Sequence, residues 1–347
     1  MRKGFDKRGF MNHTLKRMFD LGVFSPIHRA SRNLLTVLNY HRVTDSYSDD
    51  FFTFKPNVSA SPDDFFRQME YVKRFYNVIS IDDLTLWIRG QKDLPPNPAI
   101  ITFDDGYCDN LIYAQPVLKK MGFSAVIFLA TNYMDGNAPF FWDLAAYCFC
   151  HTKKDRVRLP SGLQLIWQTP ETRDKAVTKW VQIVKYLSSD EKKKAVDELV
   201  LDLDVVIPVD AFSGLYLNWD QVRELSSLGV EFGAHTASHP ILTKVPLSQV
   251  EIELAVSKKR VEDEIGKKVL SFAYPNGGPL DFSSEVVDLV RKTGFEAAFT
   301  LLPGPVGSRS AQKDPFRIRR VYIGRSDTLP RIAAKLAGAE RLLNLFE

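Results

Sequence analysis

The sequence predicts an α/β protein built on a mainly parallel sheet or barrel, and three observations predict it. From residue 34 onward, short apolar and β-branched runs alternate with amphipathic helical stretches, the rhythm of parallel strands joined by crossover helices. The strongest apolar runs, such as "AVIFLA" (125–130), have the length of a strand and not of a membrane span. Histidine or aspartate follows several runs directly, as expected where the C-terminal ends of parallel strands converge on one face.

Taken in order, residues 1–33 form a basic N-terminal segment. It carries eight Lys/Arg against two Asp/Glu, a net of +6 in a chain of net +4, which leaves about −2 for residues 34–347. With Leu15, Met18, Phe19 and Val23 among its basic residues, it reads either as a peripheral contact with anionic lipid or as a solvated, frayed terminus. No apolar h-region accompanies the charge, so the expected location is the cytoplasm, with or without membrane association. Candidate strands follow at 34–40, 77–81, 99–103, 124–130, 229–234, 269–274, 295–300 and 318–323. A helix opens at Ser61 as N-cap with Pro62 in the first helical position, and Phe65, Met69 and Val72 make its apolar stripe. A second opens at Ser248 with Glu251 three residues on, a capping box, and presents Val250, Leu254, Val261 and Ile265 to the core. Residues 131–218 break the rhythm with a hairpin around Pro160-Ser161-Gly162 and two helices, which reads as a cap-like insertion within a unit spanning 34–325. A C-terminal helix is expected within 326–347.

Composition narrows the function classes. With 45% apolar and 25% charged residues the chain is an ordinary globular one. Its nearly neutral body excludes a nucleic-acid partner by composition. Three cysteines without a CxxC pair fit a reducing compartment and argue against a zinc ribbon. There is no G-x-S-x-G elbow, no H-E-x-x-H helix and no dinucleotide fingerprint.

The chemistry collects at strand ends. "AIITFDDGYCDN" (99–110) places Asp104 and Asp105 side by side after a buried strand, where like charges repel unless a cation or a solvated turn relieves them. "HTASHP" (235–240) follows another strand and spaces His235 and His239 four apart. Two neutral imidazoles and one carboxylate from a different strand suit Zn²⁺ with open positions, and the neighbouring carboxylate is then available as a base. His41 ends the first run, in "NYHRV".

"TFDDGY" (102–107), "HTASHP" and "FAYPNGG" (272–278) together resemble the polysaccharide deacetylases of the NodB-homology group, carbohydrate esterase family 4, and "NYHRV" (39–43) resembles the circularly permuted members. The resemblance implies a distorted (β/α) barrel of the NodB-homology type. It implies a divalent metal, usually zinc, with Ni²⁺, Co²⁺ or Fe²⁺ as alternatives, and hydrolysis of an acetyl group from an N-acetylated sugar of a polysaccharide or glycolipid, in bacterial surface-polysaccharide synthesis. Carried over by position, Asp105, His235 and His239 bind the metal, Asp104 is the general base, and the Tyr107 backbone N–H helps hold the oxyanion. Two departures stand out. Ala273 occupies the place where the family's third motif commonly has a base-orienting arginine, and Arg320 of "RIRR" is the expected substitute. No histidine follows His239, and His41 is the expected acid. An inactive carbohydrate-binding protein of the same fold, or an O-acetyl esterase or deformylase acting on a lipid-linked sugar, are the alternatives. Trp142 and Trp219 are weaker candidates for stacking on a sugar.

Overall fold

The computed structural model describes residues 7–48, 50–134 and 138–339. Seven strands close into a parallel barrel in chain order: β1 (Leu34–Tyr40), β2 (Pro98–Asp104), β3 (Val126–Leu129), β4 (Glu231–Ala234), β5 (Ser271–Ala273), β6 (Ala297–Pro303) and β7 (Ile318–Tyr322). β1 closes the ring, pairing with β2 from Thr36↔Ala99 to Tyr40↔Phe103 and with β7 at Leu38↔Val321 and Asn39↔Tyr322. The second expected strand, 77–81, is corrected to two residues, Asn77–Val78, which pair with Pro98 and Ala99 outside the ring. Ser80 ends it by capping the next helix, its hydroxyl accepting from Asp83 N–H.

Strand alternation sorts the barrel into an inside and an outside. Leu35, Val37, Ile100, Val126, Phe128, Phe299 and Ile318 fill the lower interior. Further along the same strands, Thr102 and Asp104 after Ile100, Arg320 after Ile318 and Asn39 after Val37 continue the inward face, so the filling turns polar toward the C-terminal rim. Gly233 belongs to this face as well. A Cβ there would lie 2.4 Å from ring carbons of Phe128, so only glycine fits.

Outside, α1 (Lys7–Asp20) and α2 (Phe24–Ala30) precede the barrel, and α3 (Pro62–Phe75) and α4 (Ile81–Ile88) lie between β1 and β2. α3 starts as expected, with Ser61 Oγ accepting from Asp64 N–H and Phe65, Met69 and Val72 buried. The segment 131–218 holds α5 (Phe141–His151), an antiparallel hairpin of 156–158 with 164–166, α6 (Pro170–Lys185) and α7 (Ser189–Leu203). Phe149, Trp167 and Trp180 bury this layer in the same apolar core as the outer face of the barrel strands. α8 (Leu247–Ile265) starts one residue before the expected Ser248, and no capping box forms. Pro246 is the N-cap, because its ring presets the backbone for entry into the helix. Ile265 is only half-buried, whereas Val250, Leu254 and Val261 are buried.

The C-terminal helix is α9 (Leu329–Leu336), and residues 340–347 of the expected span lie outside the described residues. α1 and α2 dock on it: Leu15 and Phe24 are buried against Ala333 and Ala334, with Met18 and Phe19 beside them. The head is therefore not frayed over its described part. Three of the four apolar residues that suggested lipid contact face the protein, and Val23 stays exposed. No helix among the described residues is long and apolar enough to cross a membrane.

Candidate active site

The site sits at the C-terminal rim of the barrel, over a cavity of about 610 Å³ that is bounded on its far side by the insertion. Asp104 is the last residue of β2 and points into the barrel. Arg320 reaches it from β7, with Nη1 donating to Oδ1 at 2.7 Å and Nη2 to Oδ2 at 2.8 Å. The guanidinium is itself fixed, Nε donating to Thr300 O at 3.0 Å and Nη1 to Thr102 Oγ1 at 3.3 Å. Asn39 Nδ2 adds a third donor to Asp104 at 3.0 Å. Burial alone would raise the Asp104 pKa, but the Arg320 charge and hydrogen bonds outweigh it and hold the carboxyl well below the usual range. Asp104 is thus ionised with its pairing complete, as expected of an arginine-oriented carboxylate.

Asp105 differs in every respect. The chain leaves the strand through two consecutive left-handed residues, Asp105 (φ 74°) and Gly106 (φ 72°), which turns the second carboxylate toward the histidines. Gly106 suits this turn because a side chain is strained at its φ of 72°, and a Cβ there would also crowd the ends of the Leu129 and Met134 side chains at 2.8 Å. Asp105 is buried and its Oδ1 has no hydrogen-bond partner. Burial pushes its pKa well up, and the charges of Asp104 and Asp143 push it further. His235 Nε2 and His239 Nε2 face that oxygen at 3.7 and 3.4 Å. Ligand atoms of the three residues lie within 4.8 Å of one another.

The histidines are prepared as neutral donors. His235 Nδ1–H donates to Ala273 O at 2.7 Å, which leaves the Nε2 lone pair directed at Asp105. Burial lowers both imidazole pKa values. The turn between them is held from α8: buried Glu253 accepts from Ala237 N–H and Ser238 N–H at 2.8 Å each and from Ser238 Oγ at 2.6 Å. The sequence pattern gave no role to Glu253. The available signal was a carboxylate beside Leu254 on the apolar stripe of α8. An unpartnered buried carboxylate oxygen facing two imidazole nitrogens fits a divalent cation, and both donor types suit one.

Tyr107 follows in the same turn. Leu217 N–H donates to Gly106 O and Cys108 N–H to Leu215 O, so Tyr107 and Tyr216 form a non-hydrogen-bonded antiparallel pair that leaves the Tyr107 N–H unused by the bridge. The Tyr107 hydroxyl donates to Asp143 Oδ2 at 2.7 Å and accepts from Trp142 Nε1 at 2.9 Å, tying the turn to α5. His41 lines the same cavity, its Nδ1 buried without a partner. Burial lowers its pKa to about 4, against the pull of Asp104, so near neutral pH the resting ring is uncharged and not the cation a resting acid would need. Trp142 lines the cavity against His239, with ring centroids 5.1 Å apart. Trp219 packs instead under Arg260, away from the cavity.

A family model, polysaccharide deacetylase, matches residues 91–298, which contain both aspartates and both histidines. The chain belongs to the polysaccharide deacetylase family. Among curated relatives of this family, YxkH of Bacillus subtilis (strain 168) is 21% identical over 248 residues, covering 72% of this chain. This chain spans 59% of that relative's length. Solved deacetylases share the fold. The Streptococcus pyogenes deacetylase PplD, solved in complex with acetate, gives a TM-score of 0.58 at 15% identity, over 87% of this chain and 98% of that one. IcaB from Ammonifex degensii gives 0.53 at 19% identity, over 88% and 97%.

Proposed function

We propose that this polysaccharide deacetylase is a metal-dependent hydrolase that removes the acetyl group from an N-acetylated sugar of a polysaccharide or glycolipid, in bacterial surface-polysaccharide synthesis. One observation carries the reading: two adjacent carboxylates have opposite surroundings, Asp104 fully paired by Arg320 and Asn39, Asp105 unpartnered against two imidazoles. An inactive sugar-binding relative has no use for that division. Asp105, His235 and His239 would hold a divalent cation, with Zn²⁺ the best match to the donors and Ni²⁺, Co²⁺ or Fe²⁺ the alternatives, and such an ion would supply Lewis acidity and a lowered pKa for water. Asp104, oriented by Arg320, accepts the proton of the attacking water. The Tyr107 N–H donates to the developing oxyanion. His41, neutral at rest, would relay to the departing amine the proton that Asp104 takes from water, which returns Asp104 to its carboxylate form.

Metal content and acetate release test this together. Asp105→Asn, His235→Ala and His239→Ala should each lose the bound ion. Asp104→Asn should keep it and lose turnover by roughly 10²–10⁴, the loss expected for a missing general base. Equal metal loss in Asp104→Asn and Asp105→Asn would remove the division of labour. Release of formate, or of acetate from O-acetyl esters alone, would identify a deformylase or an esterase.

A further inference from the structure

The insertion sends two cations toward the site. Lys185 ends α6 and Lys192 lies in the first turn of α7, and both are half-buried in the wall of the cavity that holds Asp104, Asp105, His235 and His239. The run "KKK" at 192–194 shows how selective this is. Lys193 pairs with Asp197 at 3.0 Å and Lys194 with Glu198 at 3.7 Å, each four residues ahead. Four residues ahead of Lys192 is Val196. Among the described residues no carboxylate lies within ion-pair distance of Lys185 or Lys192. Asp281 acts on Lys185 only at longer range, and its carboxylate already accepts from Gly278 N–H at 2.9 Å. The two ammonium groups also act on each other and on His239, and Lys185 acts on His41. Each ammonium rests over an aromatic ring, Lys185 over Tyr186 at 5.5 Å and Lys192 over Phe141 at 5.1 Å, which eases two half-buried like charges without neutralising them, as an anionic ligand would. Both lysines also line an adjoining groove of about 310 Å³ beside Phe141, Trp142 and Ile241, so they stand where the site opens into it.

We propose that Lys185 and Lys192 form a cationic subsite for an oxyanion borne by the substrate, a phosphoryl or carboxylate group, so that the acetylated sugar this enzyme takes is an acidic one. The proposal rests on the deacetylase reading for the sugar and adds the charge. It also gives the insertion a task, since neither lysine belongs to the barrel.

Calorimetric titration of the zinc-loaded protein separates the two readings. The probes are N-acetylglucosamine phosphate, an N-acetylhexosaminuronate and the neutral methyl glycoside of N-acetylglucosamine. At least one anionic probe should bind roughly tenfold or more tightly than the neutral one, the scale of two charge-assisted contacts, and the gap should shrink with added salt. Whichever anion is preferred identifies the source of the charge. Replacing both lysines by glutamine should abolish the gap, and replacing both by arginine should keep it. Equal binding of all three probes to the wild type, or a gap that survives the double glutamine variant, overturns the subsite. Acetate release judges the other reading separately. A tightly bound anionic sugar that is never deacetylated leaves the subsite standing and overturns the hydrolase assignment.

Discussion

Asp104 and Asp105 are chemically identical neighbours, and the backbone makes them unlike. The first keeps the strand's inward direction and meets Arg320, while the second turns through a left-handed conformation and meets His235 and His239. Because Arg320 and Asp104 are both buried, removing one leaves the other uncompensated. Arg320→Met should cost about 3–5 kcal/mol in urea denaturation. Adding Asp104→Asn should recover part of that loss, and a strictly additive double variant would show that the pair is not coupled. Glu253 touches no reacting atom, yet it holds the turn that carries His239. Glu253→Gln should lower metal affinity roughly 10–100-fold with the fold intact, read by competition with a chromophoric chelator. The acid pair and the two histidines were legible because adjacency and spacing are written along the chain. Arg320 is one of three arginines in "RIRR", and strand parity is what selects it: Ile318 and Arg320 face inward, Arg319 does not. Asn39 and Glu253 were missed because their partners are far away in sequence, and a lone polar residue inside an apolar pattern does not say what it holds.

At the scale of elements, the long periodic pieces were readable and their edges were not. The segment at 77–81 has strand-like residues, but Ser80 caps a helix and stops the strand after two residues. The α8 start was displaced because a capping-box pattern at Ser248 competed with a proline two residues upstream. The N-terminal helices show a different limit. Their charge suggested a surface or a frayed end, whereas their apolar residues are used against α9. His28 of α2 is fully buried there, its Nδ1 2.8 Å from the Tyr76 hydroxyl and its Nε2 unpartnered, and burial lowers its pKa to about 4. In the unfolded chain it titrates near 6.5. Above about pH 6.5 both states are neutral and the docking is at full strength. Below that the unfolded chain takes the proton first, so stability falls as the pH drops from about 6.5 through 4. Between about pH 7 and pH 5 this amounts to roughly 2 kcal/mol. His28→Phe should flatten that part of the urea-midpoint profile, and an unchanged slope would place the acid sensitivity elsewhere.

At the scale of the whole molecule, the site is shared between two layers. The barrel supplies the carboxylates, the imidazoles and Arg320, and the insertion supplies Trp142 and the two lysines. Tyr107, Asp143 and Trp142 join the layers by hydrogen bonds, so a change in either one is felt at the rim. The closure of the ring also has a consequence for how the protein is made. β1 pairs with β2, which is complete by residue 104, but its other neighbour in the ring, β7, ends at residue 322. Until the ribosome has delivered that stretch, the growing polypeptide is an open sheet whose two edges present unpaired N–H and C=O groups. Pairing across so long a loop is slow to form, and the open intermediate is the species most exposed to aggregation. Nascent chains arrested on a linker that carries residue 303 clear of the exit tunnel should therefore depend on chaperones and be digested rapidly by protease, while chains extended past β7 on the same linker become resistant. If the arrested chains are already resistant, the first six strands hold together without their seventh.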